Sequence, residues 1–295
     1  MSLLNSVNTN VGAMIALESL NSTNTQLAAA QKQVSTGYRV ADSTDDGAAY
    51  AIAQSVRSTV GALTSANQQL GNVQGLLSTT QTGLNNISNT MASMRDVLVK
   101  LSGSDVSGNE RTQYVDTYQS LLQSVKTDIQ DSNYNGKTLI GNLTGSTGTF
   151  GRVATVRNDT GASYGIATFS GSALFGAINF GSIAQYSAGS ATVGSHFGVT
   201  TIQSIISAGG SFLTQMNAVG TALNTVGSEV NYVDDQVSYN SDKIDALNTG
   251  LGALVDADLA QESAQLQALQ IRQQLGTQAL SLANQAPQTL LSLFK

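Results

Sequence analysis

An apolar residue recurs at every seventh position through a long stretch of the chain, and this repeat is the strongest constraint on its fold. The repeat continues over six consecutive intervals, at Val56, Leu63, Leu70, Leu77, Leu84, Met91 and Leu98. In an α-helix this spacing returns each side chain to nearly the same face, where the side chains form the seam of a coiled coil. The sequence therefore predicts one long helix over residues 56–101 and a mainly α fold.

A second apolar stripe, near the carboxyl end, is longer still. It runs from Phe212 to Leu254 at alternating steps of four and three, and its central members are Val226, Val230, Val233, Val237, Asn240, Ile244, Leu247 and Leu251. The polar member, Asn240, has two interpretations. A buried asparagine fixes the register and orientation of a seam at some loss of stability, or the seam is hydrated at this point. Because the two stripes are long, we expect the two helices to pack together within the chain, either parallel or antiparallel.

The chain between these helices has a different composition. A shorter helical stripe over residues 115–129 ends in DSNYNG, residues 131–136, which predicts a turn. Residues 141–203 contain short runs of Val, Ile, Phe, Tyr and Thr separated by Gly and Ser, which predicts small β-hairpins or loops. An insertion flanked by long helices implies a helical rod whose two chain ends emerge together.

Both chain ends carry an apolar stripe on an almost uncharged background. Charged residues make up only 11% of the chain, which fits a surface that meets other protein as well as it fits compositional drift. One partner helix buries too little apolar area to offset the entropy of ordering such an end. We therefore expect the ends to become helical when several copies pack around them. The expected polymer contacts are Leu17, Leu20, Leu27, Val34, Leu266, Leu269, Leu275, Leu282, Leu290 and Leu293.

Charge and composition argue against several functional classes. A net charge of −6 with only thirteen basic residues argues against nucleic-acid binding, and no stretch is long and apolar enough for membrane insertion. The chain has no cysteine and one histidine, His196. Thiol catalysis, Ser-His-Asp triads and histidine-rich metal sites are therefore not expected, and we expect neither an enzyme nor a cofactor. Asp42 and Asp45 are interpreted as helix-start residues, and Pro287 is expected to kink or loosen the last helical turns.

Two segments at opposite ends of the chain carry a family resemblance. Residues 34–53 read VSTGYRVADSTDDGAAYAIA, and residues 256–294 read DADLAQESAQLQALQIRQQLGTQALSLANQAPQTLLSLF. The first resembles the amino-terminal signature of bacterial flagellins, and the second resembles their carboxyl-terminal signature. The resemblance covers the whole chain except the insertion, which varies among flagellins.

This resemblance implies a structural subunit that self-assembles into the flagellar filament for swimming motility. It implies an inner coiled-coil domain of residues 1–45 with 256–295, a helical rod domain of residues 46–140 with 204–255, and a variable insertion at 141–203. The partners would be further copies of the chain, the flagellar export apparatus, an export chaperone, the filament cap and hook-junction proteins. The first residues lack the basic region and compact apolar core of a signal peptide, so we expect an extracellular protein exported without cleavage.

Residues 91–101, MASMRDVLVKL, align with the region that the vertebrate innate-immune flagellin receptor reads in many flagellins. Arg95, Asp96 and Val99 fit that pattern, whereas Ser93 stands in place of an arginine and Val97 in place of a leucine. Loss of an arginine fork and a leucine anchor predicts weak recognition by the receptor.

Two alternative functions are compatible with parts of the pattern. A hook-filament junction protein shares the terminal architecture, but the ending ANQAPQTLLSLF favours a filament subunit. A secreted coiled-coil effector or translocator would be expected to carry a longer apolar hairpin or a cytotoxic domain.

Overall fold

The computed structural model describes residues 10–180 and 198–293, with side chains up to Gln285 in the last helix. Within this part of the chain there are seven α-helices and four short β-strands. The helices are α1 (Val11–Thr36), α2 (Gly47–Leu101), α3 (Gly108–Asp131), α4 (Gly171–Ile178), α5 (Val199–Ile206), α6 (Ser211–Val255) and α7 (Leu259–Leu293). The strands are β1 (Lys137–Thr138), β2 (Thr149–Phe150), β3 (Ala154–Val156) and β4 (Ser163–Gly165). The prediction of a mainly α fold with a small β insertion is confirmed.

The chain divides into two compact units, whose borders lie within α2 and α6. The first unit comprises residues 1–60 and 245–295, and the second comprises residues 61–244. The three-part division expected from the sequence stays a prediction, and the described residues of 141–203 belong to the second unit.

In the second unit, α2 and α6 run antiparallel. The side-chain amide of Gln74 donates to Asp234, while Asn67, one heptad earlier on α2, faces Asn240 further along α6. The heptad repeat of α2 accounts for much of the core of this unit, because its members from Leu70 to Leu98 enter one continuous apolar cluster. The buried stripe of α3 joins the same cluster through Val115, Tyr118, Leu122, Val125 and Ile129.

The turn expected at residues 131–136 is present and begins where α3 ends. Tyr134 and Lys137 exchange backbone hydrogen bonds of 2.8 and 2.9 Å. Between them, Asn135 and Gly136 both have positive φ, at 47° and 74°. Asn-Gly is the dipeptide that tolerates this mirror-image turn best, because asparagine and glycine enter the left-handed region with little strain.

The insertion contains β2, the β3–β4 hairpin and a helix, α4, that the sequence did not indicate, whereas β1 lies just before it. β1 pairs with β2 in parallel, and β3 pairs with β4 as an antiparallel hairpin. Helix α4 follows, and its first residues, Gly171 and Ser172, lie in a segment whose glycines and serine predicted loop. The insertion shares the core of the second unit through Ile166, Leu174 and Ile178, and Leu139 and Ile140 of the preceding segment join the same cluster. His196 lies outside the described residues.

In the first unit, the helix ends are set by specific caps. Asn10 begins α1 by accepting from the backbone N–H of Ala13 at 3.1 Å, and Gly37 ends it with φ of 74°. Asp46 begins α2 by accepting from two backbone N–H groups of the first turn, each at 3.0 Å. The expectation that Asp42 and Asp45 start the helix is therefore wrong, because these two residues lie earlier, in the connecting loop. Helix α7 continues past Pro287 to Leu293.

Candidate assembly surface

The terminal helices α1 and α7 pair within the first unit in antiparallel register. Asn10 donates from Nδ2 to the carbonyl of Ala283 at 2.7 Å, and Gln273 donates from Nε2 to Oδ1 of Asn24 at 2.8 Å. Beyond the Gln273–Asn24 contact, toward the end of α1, the helices bury a small apolar cluster of Leu27, Ala30 and Leu269, with Leu266 packed against it. The pairing thus buries one narrow stripe of each helix.

A glycine allows the two helices to approach closely near their middle. A Cβ atom at Gly276 would lie 3.2 Å from Cδ1 of Leu20, which is tighter than ordinary van der Waals contact. Gly276 therefore accommodates the Leu20 side chain on the opposite helix. The half-buried environment of Leu20 follows from this contact.

Large apolar side chains remain exposed on both terminal helices, and we call this set the terminal apolar surface. Exposure reaches 63% for Met14 and 71% for Leu282. So many exposed apolar side chains on two helices indicate a surface that another molecule covers. The set comprises Met14, Ile15 and Leu17 on α1 and Leu259, Ile271, Leu275 and Leu282 on α7.

The residues expected from the sequence to form polymer contacts divide into three groups. Leu27 and Leu269 are buried in the α1–α7 pairing, with Leu20, Val34 and Leu266 partly buried. Leu17, Leu275 and Leu282 are exposed. The side chains of Leu290 and Leu293 lie outside the described residues.

Sequence reasoning missed Met14, Ile15 and Ile271 as exposed apolar residues. The signal was available in the run MIAL at residues 14–17, because neighbouring residues on a helix point about 100° apart. One partner helix cannot cover such a run.

A charged contact organises the loop between α1 and α2. The ammonium group of Lys32 lies 2.7 Å from Asp42 and 2.8 Å from Asp45. Asp45 also accepts from the backbone N–H groups of Ala41 and Asp42. The hydrogen bond from Lys32, followed by those from Thr44, holds the pKa of Asp42 well below its usual range.

The same loop is tied to the end of α6. Val255 accepts at its carbonyl from the N–H groups of Arg39 and Val40, at 2.7 and 3.3 Å, and Ala257 donates to the carbonyl of Gly37. Val40 and Val255 are buried in a small cluster with Ala49 and Ala53. The VSTGYRVADSTDDGAAYAIA motif therefore supplies the loop, the two carboxylates that Lys32 contacts, and Val40, Ala49 and Ala53 of this cluster.

The two helical stripes lie mostly on buried faces. In the second unit, Leu63, Leu70, Leu77, Leu84, Met91, Leu98, Val226, Val233 and Asn240 are buried, and Val230, Val237 and Ile244 are partly buried. In the first unit, Val56, Leu247 and Leu251 are partly buried. The greater exposure of the members in the first unit matches its smaller apolar clusters.

A row of polar and aromatic side chains on α6 contacts the β3–β4 hairpin, and sequence reasoning did not predict this contact. Lys243 forms an ion pair of 2.9 Å with Asp159, and the ring of Tyr232 stacks on Tyr164 at 4.1 Å between centroids. Asn240 donates to the carbonyl of Arg157 at 2.9 Å. The partners on the hairpin are 68 to 84 positions away in sequence, so periodicity alone could not pair them.

The segment aligned with the receptor-binding region is partly exposed. Ser93, Arg95, Asp96 and Val99 lie on the surface of α2, whereas Val97 is buried in the core of the second unit. A side chain at position 97 therefore contributes to packing within the chain in this conformation.

Within residues 10–180 and 198–293, none of the helices is long and apolar enough to cross a membrane. The same residues contain no group of three or more acidic, histidine or cysteine side chains that could hold a metal ion.

Sequence profiles match both ends of the chain. The profile for the bacterial flagellin N-terminal helical region matches residues 7–144, and that for the C-terminal helical region matches residues 199–294. The chain belongs to the bacterial flagellin family. Flagellin FljM of Caulobacter vibrioides is 29% identical over 292 residues, which are 99% of each chain. A flagellin of Brucella melitensis is 31% identical over 302 residues, covering 98% of this chain and 99% of its own.

The flagellin also shares its fold with a solved structure. The putative flagellar hook-associated protein from Vibrio parahaemolyticus aligns over 72% of this chain and 100% of its own, with a TM-score of 0.56 and 15% identity. The relatives that match along nearly the whole chain are flagellins. The flagellin is therefore a structural subunit that self-polymerises into the extracellular flagellar filament, and the junction-protein and effector alternatives are not favoured.

Proposed function

We propose that copies of this flagellin polymerise through the terminal apolar surface. The observation that carries the proposal is the exposure of Leu17, Leu275 and Leu282 on helices that are already paired with each other. Their apolar area gains stability only when another copy excludes water from it. The scarcity of charge on α1 and α7 supports the proposal, because few charged groups would need to be desolvated in a contact between copies.

The terminal helices are expected to gain most of their order in the polymer. The cluster that α1 and α7 share within one chain is small, comprising Leu27, Ala30 and Leu269 with Leu266 beside it. Fixing the backbone of two long segments opposes folding, and this cluster offsets only part of that entropy. Neighbouring copies would supply the remaining apolar contact, so that folding of the ends and assembly are coupled.

Export through the flagellum's own channel, with help from an export chaperone, is the route that family membership supports. The filament cap and the hook-junction proteins would then be the first partners outside the cell.

A paired substitution tests the assembly surface. Replacing both Leu275 and Leu282 by Gln keeps the side-chain length similar but makes the exposed positions polar. The matched control replaces both by Met, which keeps them apolar at similar volume. We expect seeded polymerisation, followed by electron microscopy and sedimentation, to fail or to require a much higher subunit concentration for the Gln variant only. Equal polymer yields from the Gln and Met variants would disprove the proposal.

Hydrogen exchange on dilute monomer tests the coupling separately. Amides of α1 and α7 should exchange rapidly in the monomer and slowly in the filament, whereas amides in the core of α2 should be protected in both. Strong protection of α1 and α7 in a solitary chain would show that their order does not depend on assembly.

A further inference from the structure

Glu229 is a buried carboxyl group at the contact between α6 and the segment that follows β4. Its residue exposure is 6%. Oε1 accepts from the backbone N–H of Ala167 at 2.7 Å, while Oε2 is also buried and accepts no hydrogen bond from any described residue. An ionised carboxylate in this position would have one hydrogen bond in place of the several that water provides.

The surrounding contact is aromatic and incompletely hydrogen-bonded. Tyr232, one turn along α6, stacks on Tyr164 of β4. Thr155 lies directly opposite Tyr164 in the hairpin, and its buried hydroxyl likewise has no partner within the described part of the chain. Two polar groups in the hairpin contact are thus left without the hydrogen bonds that buried groups normally make.

The charged groups in and beside the hairpin contact residues other than Glu229. The guanidinium group of Arg152 lies against Gly165, and that of Arg157 donates to the hydroxyl of Tyr232 at 3.3 Å. Asp159 is paired with Lys243 of α6. Among the described residues, none of these groups bonds to Glu229.

The two helices at this contact also leave Glu229 without a counter-charge. On α6, the next carboxylate, Asp234, is bonded to Gln74, and Asp235 is exposed. Helix α2 has no charged residue between Ser58 and Met94. The hydroxyl groups of Tyr164 and Tyr232 are further titratable groups at this contact.

We propose that Glu229 is a protonation-controlled latch that fastens the β3–β4 hairpin to α6. In the neutral form, Oε1 continues to accept from Ala167, and the carboxyl group has no net charge to be desolvated. On ionisation, the buried charge is better hydrated when the contact opens, so the hairpin is released more often. Tyr164 and Thr155 would leave α6 together with Ala167, because all belong to the hairpin or the segment following it.

The direction of the pH dependence follows from the buried position. Burial raises the pKa of Glu229 above its ordinary 4.5, and the hydrogen bond from Ala167 opposes that rise only in part. A carboxyl group with a raised pKa in the closed form stabilises that form most below its ordinary pKa. The stabilisation is lost as pH rises through the raised pKa, and it stays low above it.

Hydrogen exchange of the monomeric full-length chain tests the latch. Protection of residues 153–167 is measured from pH 4 to 8, with each rate corrected for the intrinsic pH dependence of exchange. We expect protection to fall with rising pH, by at most about tenfold per pH unit for a single ionisation. Glu229→Gln should keep protection high at every pH, whereas Glu110→Gln, at an exposed position on α3, should retain the parent's pH dependence.

Two results would overturn the latch. One is protection of residues 153–167 that does not change with pH in the parent chain. The other is an unchanged pH dependence in Glu229→Gln. If circular dichroism shows that this variant does not fold, carbon NMR titration of the parent decides the question. Ionisation of Glu229 at a pH no higher than that of the exposed glutamates would then reject the proposal.

Discussion

Asn240 donates from Nδ2 to Oδ1 of Asn67 at 2.8 Å, across the contact between α6 and α2. The same amide donates to the carbonyl of Arg157, and Gln236 donates to Oδ1 of Asn240 at 3.1 Å. Asn240 has no solvent exposure. Of the two interpretations open from the sequence, the structure favours the buried asparagine over a hydrated seam, and the amide joins α2, α6 and the hairpin in one network.

Replacing Asn240 by Leu is expected to lower the free energy of unfolding by about 1–3 kcal/mol, because Asn67 and the carbonyl of Arg157 would lose their buried partner. Urea denaturation followed by circular dichroism measures the change. Ser238→Ala, at an exposed position on the same helix, should shift stability by no more than about 0.5 kcal/mol. A Leu variant as stable as the parent would show that packing replaces the network fully.

Residue 171 should have to be glycine, because two backbone segments approach each other closely there. A Cβ atom there would meet the carbonyl oxygens of Ile140 and Gly141, and backbone cannot move aside as a side chain can. Gly171→Ala should therefore destabilise the chain by about 1–3 kcal/mol. Gly176→Ala, on the same helix with open space around it, should instead stabilise by roughly 0.5–1 kcal/mol. Thermal or urea unfolding that ranks the two variants equally would contradict this account.

The Lys32 contact predicts a stability difference that depends on pH. The lowered pKa of Asp42 means that its ion pair stabilises the fold above the ordinary value of 3.8 and is lost as pH falls through the lowered pKa. Lys32→Met should thus have a lower melting temperature than the parent at pH 7. This difference in melting temperature should become smaller below about pH 4. Because the groups are solvent-accessible, salt should narrow it as well.

Scanning calorimetry of Lys32→Met and the parent between pH 7 and 2 measures this gap. Lys126→Met, on α3, is the matched control for removing one positive charge. If the difference in melting temperature between Lys32→Met and the parent is the same at every pH, the loss of stability comes from lost packing of the lysine methylene groups and not from the ion pair.

The parts of the fold that repeat locally could be predicted from the sequence. The heptad beginning at Val56 indicated α2 and its buried face, and the Asn-Gly pair at residues 135–136 indicated a turn. In both cases the deciding interactions lie within a few residues. Helix α4 was missed because the glycines of GSALFGAI predict loop, whereas tertiary contact around Leu174 and Ile178 stabilises a helix there.

The residues of the assembly surface also show what apolar periodicity cannot predict. The apolar stripes located α1 and α7, but the stripes alone could not tell that Leu269 faces α1 while Leu275 faces solvent. That distinction depends on the antiparallel register of two segments about 250 residues apart, fixed by contacts such as Gln273 with Asn24. Burial of Glu229 likewise depends on where the hairpin docks, which local periodicity does not encode.

Recognition by the innate-immune receptor should be weak and should respond to position 93 but not to position 97. Ser93 is exposed on α2, so Ser93→Arg would present a guanidinium fork to a partner, whereas Val97 is buried and Val97→Leu would add volume to the core instead. A reporter-cell assay with purified monomer should show a gain for Ser93→Arg only. Ala92→Arg, at the exposed neighbouring position about 100° around the helix, controls for added positive charge. Full-strength activation by the parent chain, or an equal gain from Ala92→Arg, would contradict the assignment of the missing contact to position 93.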